Sequence, residues 1–235
     1  MATIELFNYN KFYNTIDNYP IHNFTIYGER HSGTNWLEQL ISQSFDIPIT
    51  WNYDHKHFFG CCKWDILNNA NNTLFIGIVR NIYSWIGAMH KVPYHLEQKD
   101  ILNIKPWRST QYISVYNSFC DSHWYTKEKY IDIFDMRFHK LEFLYLYMPY
   151  LVNNYIFIRY EDLIEYTTNI MNIISYLYRL KIKQTKYRSD KSKINIYKLS
   201  DIYMNTIQNN TKWTMENMIG YQQVDKNNQL EFRIN

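Results

Sequence analysis

This chain of 235 residues contains little cysteine and no long uninterrupted run of apolar residues. Its three cysteines, two of them adjacent (Cys61 and Cys62), do not form the framework of a small disulfide-rich secreted protein. No stretch approaches the roughly 18 apolar residues of a membrane-spanning helix. The N-terminal sequence MATIELFNYN lacks the basic-then-apolar pattern of a secretory signal. We therefore expect a cytoplasmic protein in a reducing compartment, with no membrane span.

The sequence also lacks a strong net charge. The formal net charge is +3 and the sequence pI is about 8.5, which is too mild to predict a nucleic-acid partner. A bound nucleotide with several phosphates could still use a local surplus of this size. Tyrosine is abundant, with 23 residues, as are asparagine, isoleucine and lysine. We attribute this to coding bias, so a single tyrosine or asparagine does not by itself predict function.

The stretch FTIYGERHSGTNW, from Phe24 to Trp36, is typical of a strand, an anion-binding loop and the start of a helix. β-branched and aromatic residues precede a basic turn, and apolar residues then recur at helical spacing. Backbone amides and the positive end of the helix dipole converge in such a loop and bind anions. Arg30 and His31 add charge or hydrogen bonds. The sequence therefore predicts a phosphate or phosphosulfate here.

This loop is not a Walker A motif, because Thr34 follows Gly33 where that motif requires lysine. A simpler alternative is that Ser32 and Gly33 only mark a strand–helix junction, with Thr34 as the helix N-cap. The basic pair upstream and the apolar strand before it favour the anion site.

Buried-type strands alternate with helices along the chain, which predicts an α/β protein. We expect three α/β/α layers around a central, mostly parallel sheet. The predicted strands are Phe24–Tyr27, Leu74–Val79 and Tyr155–Arg159. The predicted helices are Asn35–Phe45, Tyr83–Met89, Ile113–Tyr150 (broken near Asp121), Asp162–Leu180, Ser200–Gln208 and Thr214–Ile219, the last followed by Gly220 at C′. The length suits a single domain, with residues 1–22 as a surface extension and 181–235 as a closing segment.

Ligands of parallel sheets bind beyond the carboxyl ends of the strands. Tyr27, Arg80 and Tyr160 lie at three such ends. We therefore expect them to converge, although they are far apart in sequence.

Three motifs resemble those of sulfotransferases that use 3′-phosphoadenosine 5′-phosphosulfate (PAPS). RHSGTNW resembles the 5′-phosphosulfate loop, usually written PKSGTTW. VRNIYSWIGAMH (Val79–His90) resembles the 3′-phosphate segment, and IRYEDLI (Ile158–Ile164) the later strand-to-helix junction. The resemblance spans roughly Phe24 to Leu177. It implies a P-loop-NTPase-like sulfotransferase fold. It also implies an enzyme that moves a sulfuryl group from PAPS to a hydroxyl or amine and releases adenosine 3′,5′-bisphosphate (PAP) without a metal.

The resemblance also implies the residues that bind the donor. The loop residues Arg30, His31, Ser32, Gly33, Thr34 and Asn35 would hold the phosphosulfate, Trp36 and Tyr160 the adenine, and Arg80 the 3′-phosphate. His31 stands where the family has lysine or arginine, so either Arg30 supplies the cation or His31 is the donor to the leaving oxygen. Ala88 replaces a family serine, and Ser84 one turn earlier is the expected substitute. Alternatives are a core role for Trp36 and a buried carboxylate partner for Arg80.

Family members place a catalytic base after the second strand, often in a Lys-His context, which Lys56–His57 matches. His57 is the candidate general base, because imidazole titrates near neutral pH, and Lys56 would stabilise developing charge. The predicted catalytic set is thus His57, His31, Lys56 and Arg30. His55 and Glu29 remain alternatives, as does an exposed loop without a catalytic role. A zinc site is disfavoured, because the HxHxxxCC pattern lacks the usual spaced cysteine pair.

Two other functions remain open at this stage. One is a small-molecule kinase with an atypical P-loop, and the other is a non-catalytic nucleotide-binding relative of sulfotransferases. The acceptor is not identified: a small molecule, a carbohydrate or a peptide tyrosine would each suit an aromatic cleft.

Overall fold

The computed structural model describes residues 13–14, 19–57, 70–91, 121–183 and 201–224. Within these residues, one sheet contains the strands β1 (Tyr13–Asn14), β2 (Asn23–Gly28), β3 (Thr73–Val79) and β4 (Tyr155–Arg159). The spatial order is β1-β4-β3-β2. β2, β3 and β4 run parallel, whereas β1 is antiparallel to β4. The protein is therefore a mixed α/β structure with a mostly parallel sheet.

β3 is the middle one of the three parallel strands, because β2 pairs with one of its edges and β4 with the other. All seven of its residues are buried, and six of them form the uninterrupted apolar run LFIGIV (Leu74–Val79) that predicted a buried strand. Ile76 lies opposite Ile26 of β2 on one side and Ile156 of β4 on the other. This register aligns the carboxyl ends of the three parallel strands.

The helices occur where apolar residues recur at helical spacing. They are α1 (Thr34–Ser44), α2 (Ile82–Lys91), α3 (Ile133–Glu142), α4 (Met148–Leu151), α5 (Tyr160–Glu165), α6 (Thr167–Tyr178), α7 (Asp201–Asn210) and α8 (Trp213–Met218). A π-helical turn, Phe143–Tyr147, connects α3 to α4. None of the helices described is long and apolar enough to cross a bilayer.

Two predicted helices differ from the structure. Of the predicted stretch Ile113–Tyr150, the part before 121 lies outside the described residues; residues 121–132 are not helical, and α3 begins at Ile133. The Asp132 carboxylate ends that segment by accepting the amides of Phe134 and Asp135. The predicted helix over 162–180 is divided at Tyr166 into α5 and α6. Gly220 is confirmed after α8, with a φ of 84°.

Side chains alternate between the two faces of the sheet, and helices cover both. One face packs against α3, the π-helical turn and α8, and its strand residues are Tyr27, Phe75, Val79, Tyr155 and Phe157. The other face packs against α1 and α6 through Ile26, Ile76, Ile78, Ile156 and Ile158. The expected surface extension at 1–22 is partly wrong, because Tyr13–Asn14 pairs with β4 and Ile21 is buried.

The segment that follows α1 returns along the free edge of β2. Phe24 N donates to the Pro48 carbonyl at 3.0 Å, and Thr50 N donates to the Phe24 carbonyl at 2.8 Å. Further along, Gly28 N donates to the Lys56 carbonyl at 3.0 Å. These bonds carry the segment to the carboxyl end of β2, beside the predicted anion loop.

Gly77 of β3 lies against Tyr155, so it should not tolerate a side chain. A Cβ atom there would overlap the Tyr155 hydroxyl and lie 3.0 Å from its Cζ atom. Tyr155 is fully buried and donates to the Leu144 carbonyl at 2.6 Å. We expect Gly77→Ala to lower the free energy of unfolding by about 1–3 kcal/mol, because over-packing displaces neighbouring side chains. Chemical denaturation measures this difference.

The control uses the Tyr155→Phe background, in which the hydroxyl is absent. Gly77→Ala should cost less there than in the wild-type background, since the two sites are in contact and their effects are not additive. An equal cost in both backgrounds would contradict the proposed overlap.

Candidate anion-binding site at the strand ends

The loop between β2 and α1 is a tight turn built around Ser32. Both the amide and the hydroxyl of Ser32 donate to the Glu29 carbonyl, at 3.1 and 2.6 Å. His31 and Gly33 on either side have φ angles of 63° and 94°, in the left-handed region. Because two left-handed residues flank a buried serine, the chain reverses sharply and enters α1.

The N-terminus of α1 faces this loop without a side-chain cap. Gly33 is the N-cap residue, whereas Thr34, the predicted cap, is already the first helical residue. An α-helix leaves its first amides without intrahelical partners. The amides of Thr34, Asn35 and Trp36 are of this kind, and the helix dipole adds partial positive charge. The turn therefore presents the donors that an anion-binding loop requires.

Arg80 connects the end of β3 to this loop. Its Nη1 atom donates to the His31 carbonyl at 3.2 Å, and its Nε atom donates to the Ser84 hydroxyl at 3.0 Å. Arg80 and Ser84 are both buried; Arg80 lies between β3 and α2, and Ser84 lies in the first turn of α2. Ser84, the predicted substitute for the serine missing at Ala88, thus lies against the predicted phosphate-binding arginine.

Tyr160, directly after β4, also lies at the loop between β2 and α1. Its ring lies 4.9 Å from the Arg80 guanidinium carbon and contacts the Trp36 ring edge-on at 6.0 Å. A Cβ atom at Gly33 would lie 2.5 Å from Tyr160 Cδ2, so this aromatic ring packs directly on the loop backbone. The two predicted adenine contacts, Trp36 and Tyr160, are therefore neighbours.

The third residue expected at the strand ends, Tyr27, is not in this group. Tyr27 faces the α3 side of the sheet, is fully buried near Phe75 and donates to the Tyr53 carbonyl at 2.5 Å. Because successive strand residues point to opposite faces, its position near the end of β2 did not place it at the loop. The convergence prediction is therefore wrong for Tyr27, whereas Arg80 and Tyr160 do meet.

Glu161 and Asp162 lie in the first turn of α5, and both carboxylates have specific partners. The Glu161 carboxylate accepts the Asn81 amide at 2.9 Å and the Tyr221 hydroxyl at 2.5 Å. Asp162 pairs with Arg159 at 2.7 Å. Glu161 thus fixes the turn that carries Arg80.

Arg30 lies beside the loop but is held by residues that the sequence analysis missed. Its Nη2 atom donates to Asp121 Oδ1 at 2.7 Å, and the other oxygen of Asp121 accepts Lys140 Nζ. Asp121 is fully buried, and Lys140 is 1% exposed. Although burial opposes ionisation of Asp121, Lys140 and Arg30 lower its pKa to about 2. No local pattern marks this group, because its members lie on three separate segments.

His57 is also at the loop, but it is buried rather than exposed. Its Nδ1 atom lies 2.7 Å from the Gly28 carbonyl. Nδ1 must donate, because a carbonyl only accepts, so the other ring nitrogen of neutral His57 carries the lone pair. Burial lowers the pKa of His57 to about 3, with smaller effects from Lys140 and Arg30, while the Gly28 bond opposes the shift. His57 is therefore a neutral imidazole at physiological pH.

Lys56 and His55 directly precede His57, and Lys56 contacts the N-terminal part of α1. Lys56 Nζ donates to Asn35 Oδ1 and lies 3.4 Å from the Glu38 carboxylate. The exposed His55 ring contacts His57 edge-on at 5.1 Å. Burial, then the charges of Arg30 and Lys56, lower the pKa of His55. The predicted catalytic residues Arg30, Lys56 and His57 are thus close together.

Glu29, the alternative base, lies inside the protein. It is fully buried and ion-paired with Arg137 of α3, which also binds Glu216 of α8 and donates to the Arg80 carbonyl at 2.9 Å. Burial raises the pKa of Glu29 to about 7, against the opposing charges of Arg137 and Lys140. These buried bonds connect the loop between β2 and α1 to α3 and α8. The role that the geometry gives Glu29 is therefore structural.

Cys61 and Cys62, the cysteines of the disfavoured zinc pattern, lie outside the described residues. In the part of the chain that the structure describes, no group of three or more histidines, cysteines and carboxylates could hold a metal ion.

Comparison with known protein families, curated proteins and solved structures found no match to this chain. A function for this chain therefore rests on the geometry of the strand ends and on the motifs in the sequence.

Proposed function

We propose that this protein is a sulfotransferase that moves a sulfuryl group from PAPS to a hydroxyl or amine of an acceptor. The observation that supports this most is the meeting of Arg80, Tyr160 and the His31–Gly33 turn at the ends of three parallel strands. Each belongs to a different motif of the resemblance. Their contact supports a single site for a nucleotide that carries phosphate groups at both ends of its ribose.

In this proposal, the loop amides bind the 5′-phosphosulfate and Arg80 binds the 3′-phosphate. A guanidinium suits the latter because it forms two parallel hydrogen bonds with phosphate oxygens. In the structure, Arg80 donates hydrogen bonds to a hydroxyl and to a carbonyl, which are both neutral groups. A phosphate would be a stronger acceptor than either. Trp36 and Tyr160 would stack on the adenine.

Transfer requires charge stabilisation on the bridging oxygen and removal of a proton from the acceptor. Arg30 and Lys56 would supply the charge, and the α1 amides would add to it. His57 would accept the proton at the ring nitrogen that does not bind Gly28. Holding the two reactants in line would provide much of the remaining rate enhancement.

A second candidate, a nucleotide-binding protein without turnover, is favoured by one observation. His57 has a pKa of about 3, which makes it a much weaker base than a free imidazole. The structure offers no comparable observation in favour of a kinase.

Binding of PAP tests the donor site directly. We expect PAP to raise the melting temperature of the wild-type protein more than ATP–Mg²⁺ or adenosine 5′-monophosphate does. Arg80→Gln should weaken PAP binding by about tenfold to a hundredfold, because a hydrogen bond to a charged group contributes about 1.5–3 kcal/mol. It should leave binding of the 5′-monophosphate nearly unchanged. Thermal shift measures the melting temperatures, and calorimetry measures the affinities for PAP and for the 5′-monophosphate.

Arg159→Gln is the matched control for this experiment. Arg159 also ends a parallel strand, but it pairs with Asp162 at the start of α5. The control removes the same charge and should retain the preference for PAP. Equal weakening by the two substitutions, or stabilisation by ATP–Mg²⁺ alone, would contradict the proposed donor site.

The pH dependence of transfer tests His57 as the base. Because its pKa is lowered to about 3, His57 stays neutral as the pH falls through 6.5 and becomes protonated only near pH 3. We therefore expect kcat/KM to show no acid inflection near pH 6.5 that depends on His57. His57→Gln should lower kcat by about 10²–10⁴-fold, the usual contribution of a general base.

His55→Gln serves as the comparison, because His55 is the exposed neighbour of His57. It should leave kcat within a few-fold of the wild-type value. If His57→Gln leaves transfer intact, another group removes the proton. If the protein binds PAP but sulfates no acceptor offered, the binding-protein function gains support.

A further inference from the structure

We propose that Asp121 is a positioning residue for the donor site, which holds Arg30 as a fixed cation beside the anion loop. This inference rests on the proposed function. It names a residue that no motif of the resemblance contains, on the segment that precedes α3.

Each oxygen of Asp121 is assigned to a different cation. Oδ1 accepts Arg30 Nη2 at 2.7 Å, and Oδ2 accepts Lys140 Nζ. Asp121 is fully buried, so both bonds form away from competing water. The carboxylate remains ionised at all physiological pH values, because its pKa is about 2. Asp121 therefore links the loop to α3 permanently.

Arg30 is fixed at its backbone as well as at its guanidinium. Trp85 Nε1 of α2 donates to the Arg30 carbonyl at 2.9 Å. The Arg30 side chain is 17% exposed, and its buried Nε atom has no hydrogen-bond partner among the described residues. One Nη group is thus anchored to Asp121 while other N–H donors remain for a ligand.

The conformation of the loop explains why Arg30 is the residue that needs this support. His31 stands where the resemblance places a basic side chain, but it is left-handed and its carbonyl is directed to Arg80. The charge of Arg30 contributes to the lowered pKa values of both His55 and His57. Arg30 is therefore near the histidines on the proposed sulfuryl side of the loop.

A cation that is already oriented needs no rearrangement when the donor arrives, which is the advantage of electrostatic preorganisation. Without Asp121, the long arginine side chain would be free to sample other rotamers. Its contribution to binding of the 5′ end would then fall. This differs from a purely structural role, in which Asp121 only neutralises the buried Lys140.

The test compares Asp121→Asn with Lys140→Met, which both break the Asp121–Lys140 pair. Only Asp121→Asn also removes the charged partner of Arg30. We expect Asp121→Asn to weaken PAP binding by calorimetry about five- to twentyfold, and to raise the donor KM similarly. Lys140→Met should change PAP affinity less than twofold. Equal losses in the two variants would overturn the proposal.

A double-mutant cycle with Arg30→Gln gives the second criterion. If Asp121 acts through Arg30, Asp121→Asn should have no further effect on PAP affinity in the Arg30→Gln background. A full additive loss in that background would overturn the proposal. In the Asp121→Asn variant, Lys140 stays buried without a carboxylate partner. PAP affinity is therefore also compared between Lys140→Met and the Asp121→Asn/Lys140→Met double variant, which both lack Lys140.

The cycle is also run with inorganic pyrophosphate, which requires an anion site but no nucleotide specificity. If wild-type protein binds pyrophosphate but not PAP, the proposed function fails, and the Asp121 proposal is still decided by the pyrophosphate cycle. If Asp121→Asn does not alter the affinity for either anion, the Asp121 proposal fails. Binding of PAP by the wild-type protein would still support the proposed function in that case.

Discussion

The contact of Arg80 with the His31 carbonyl and the Tyr160 ring is the interaction on which the candidate site depends. It joins the ends of β2, β3 and β4, which are separated by long stretches of sequence but aligned by the parallel register. A buried guanidinium requires several acceptors, and a left-handed His31 supplies one by turning its carbonyl away from solvent. Gly33 is equally constrained, because Tyr160 occupies the space that a side chain would need. Backbone conformation, aromatic packing and charge therefore specify the same arrangement.

Two buried cations of α3 also lie near the loop. The helix α3 packs on one face of the sheet, whereas α1 packs on the other. Arg137 joins Glu29, Glu216 and the Arg80 carbonyl, whereas Lys140 and Arg30 bind different oxygens of Asp121. Arg137 and Lys140 are three residues apart, so they project from one face of the helix. Buried ion pairs contribute little to net stability, but they are costly to break one partner at a time. The Arg137 network fixes the backbone at Glu29 and Arg80, while Lys140 balances the charge of the carboxylate that binds Arg30.

Sequence reasoning was most successful where one local pattern determined the structure. The apolar run of β3, the helical spacing of α1 and the turn at Gly33 could each be predicted from neighbouring residues alone. Prediction failed where partners are distant: Asp121 lies 91 residues from Arg30, and Arg137 lies 108 residues from Glu29. Tyr27 was misplaced because its position along β2 was considered without the alternation of strand faces. The exposed loop considered as the alternative for His57 is wrong, because the hydrogen bonds of its segment to β2 bring the His57 ring into the interior.

The burial of His57 has two consequences that work against each other. The bond to Gly28 fixes the tautomer and directs the lone pair of the other nitrogen away from the backbone, which favours a base. The same burial lowers the pKa of His57, so that its driving force for proton removal is small. A bound phosphosulfate would place negative charge near Arg30, whose effect on the pKa of His57 is smaller than that of burial. Donor binding would therefore offset only a minor part of the lowered pKa. What the Gly28 bond supplies to transfer is the orientation of the other ring nitrogen.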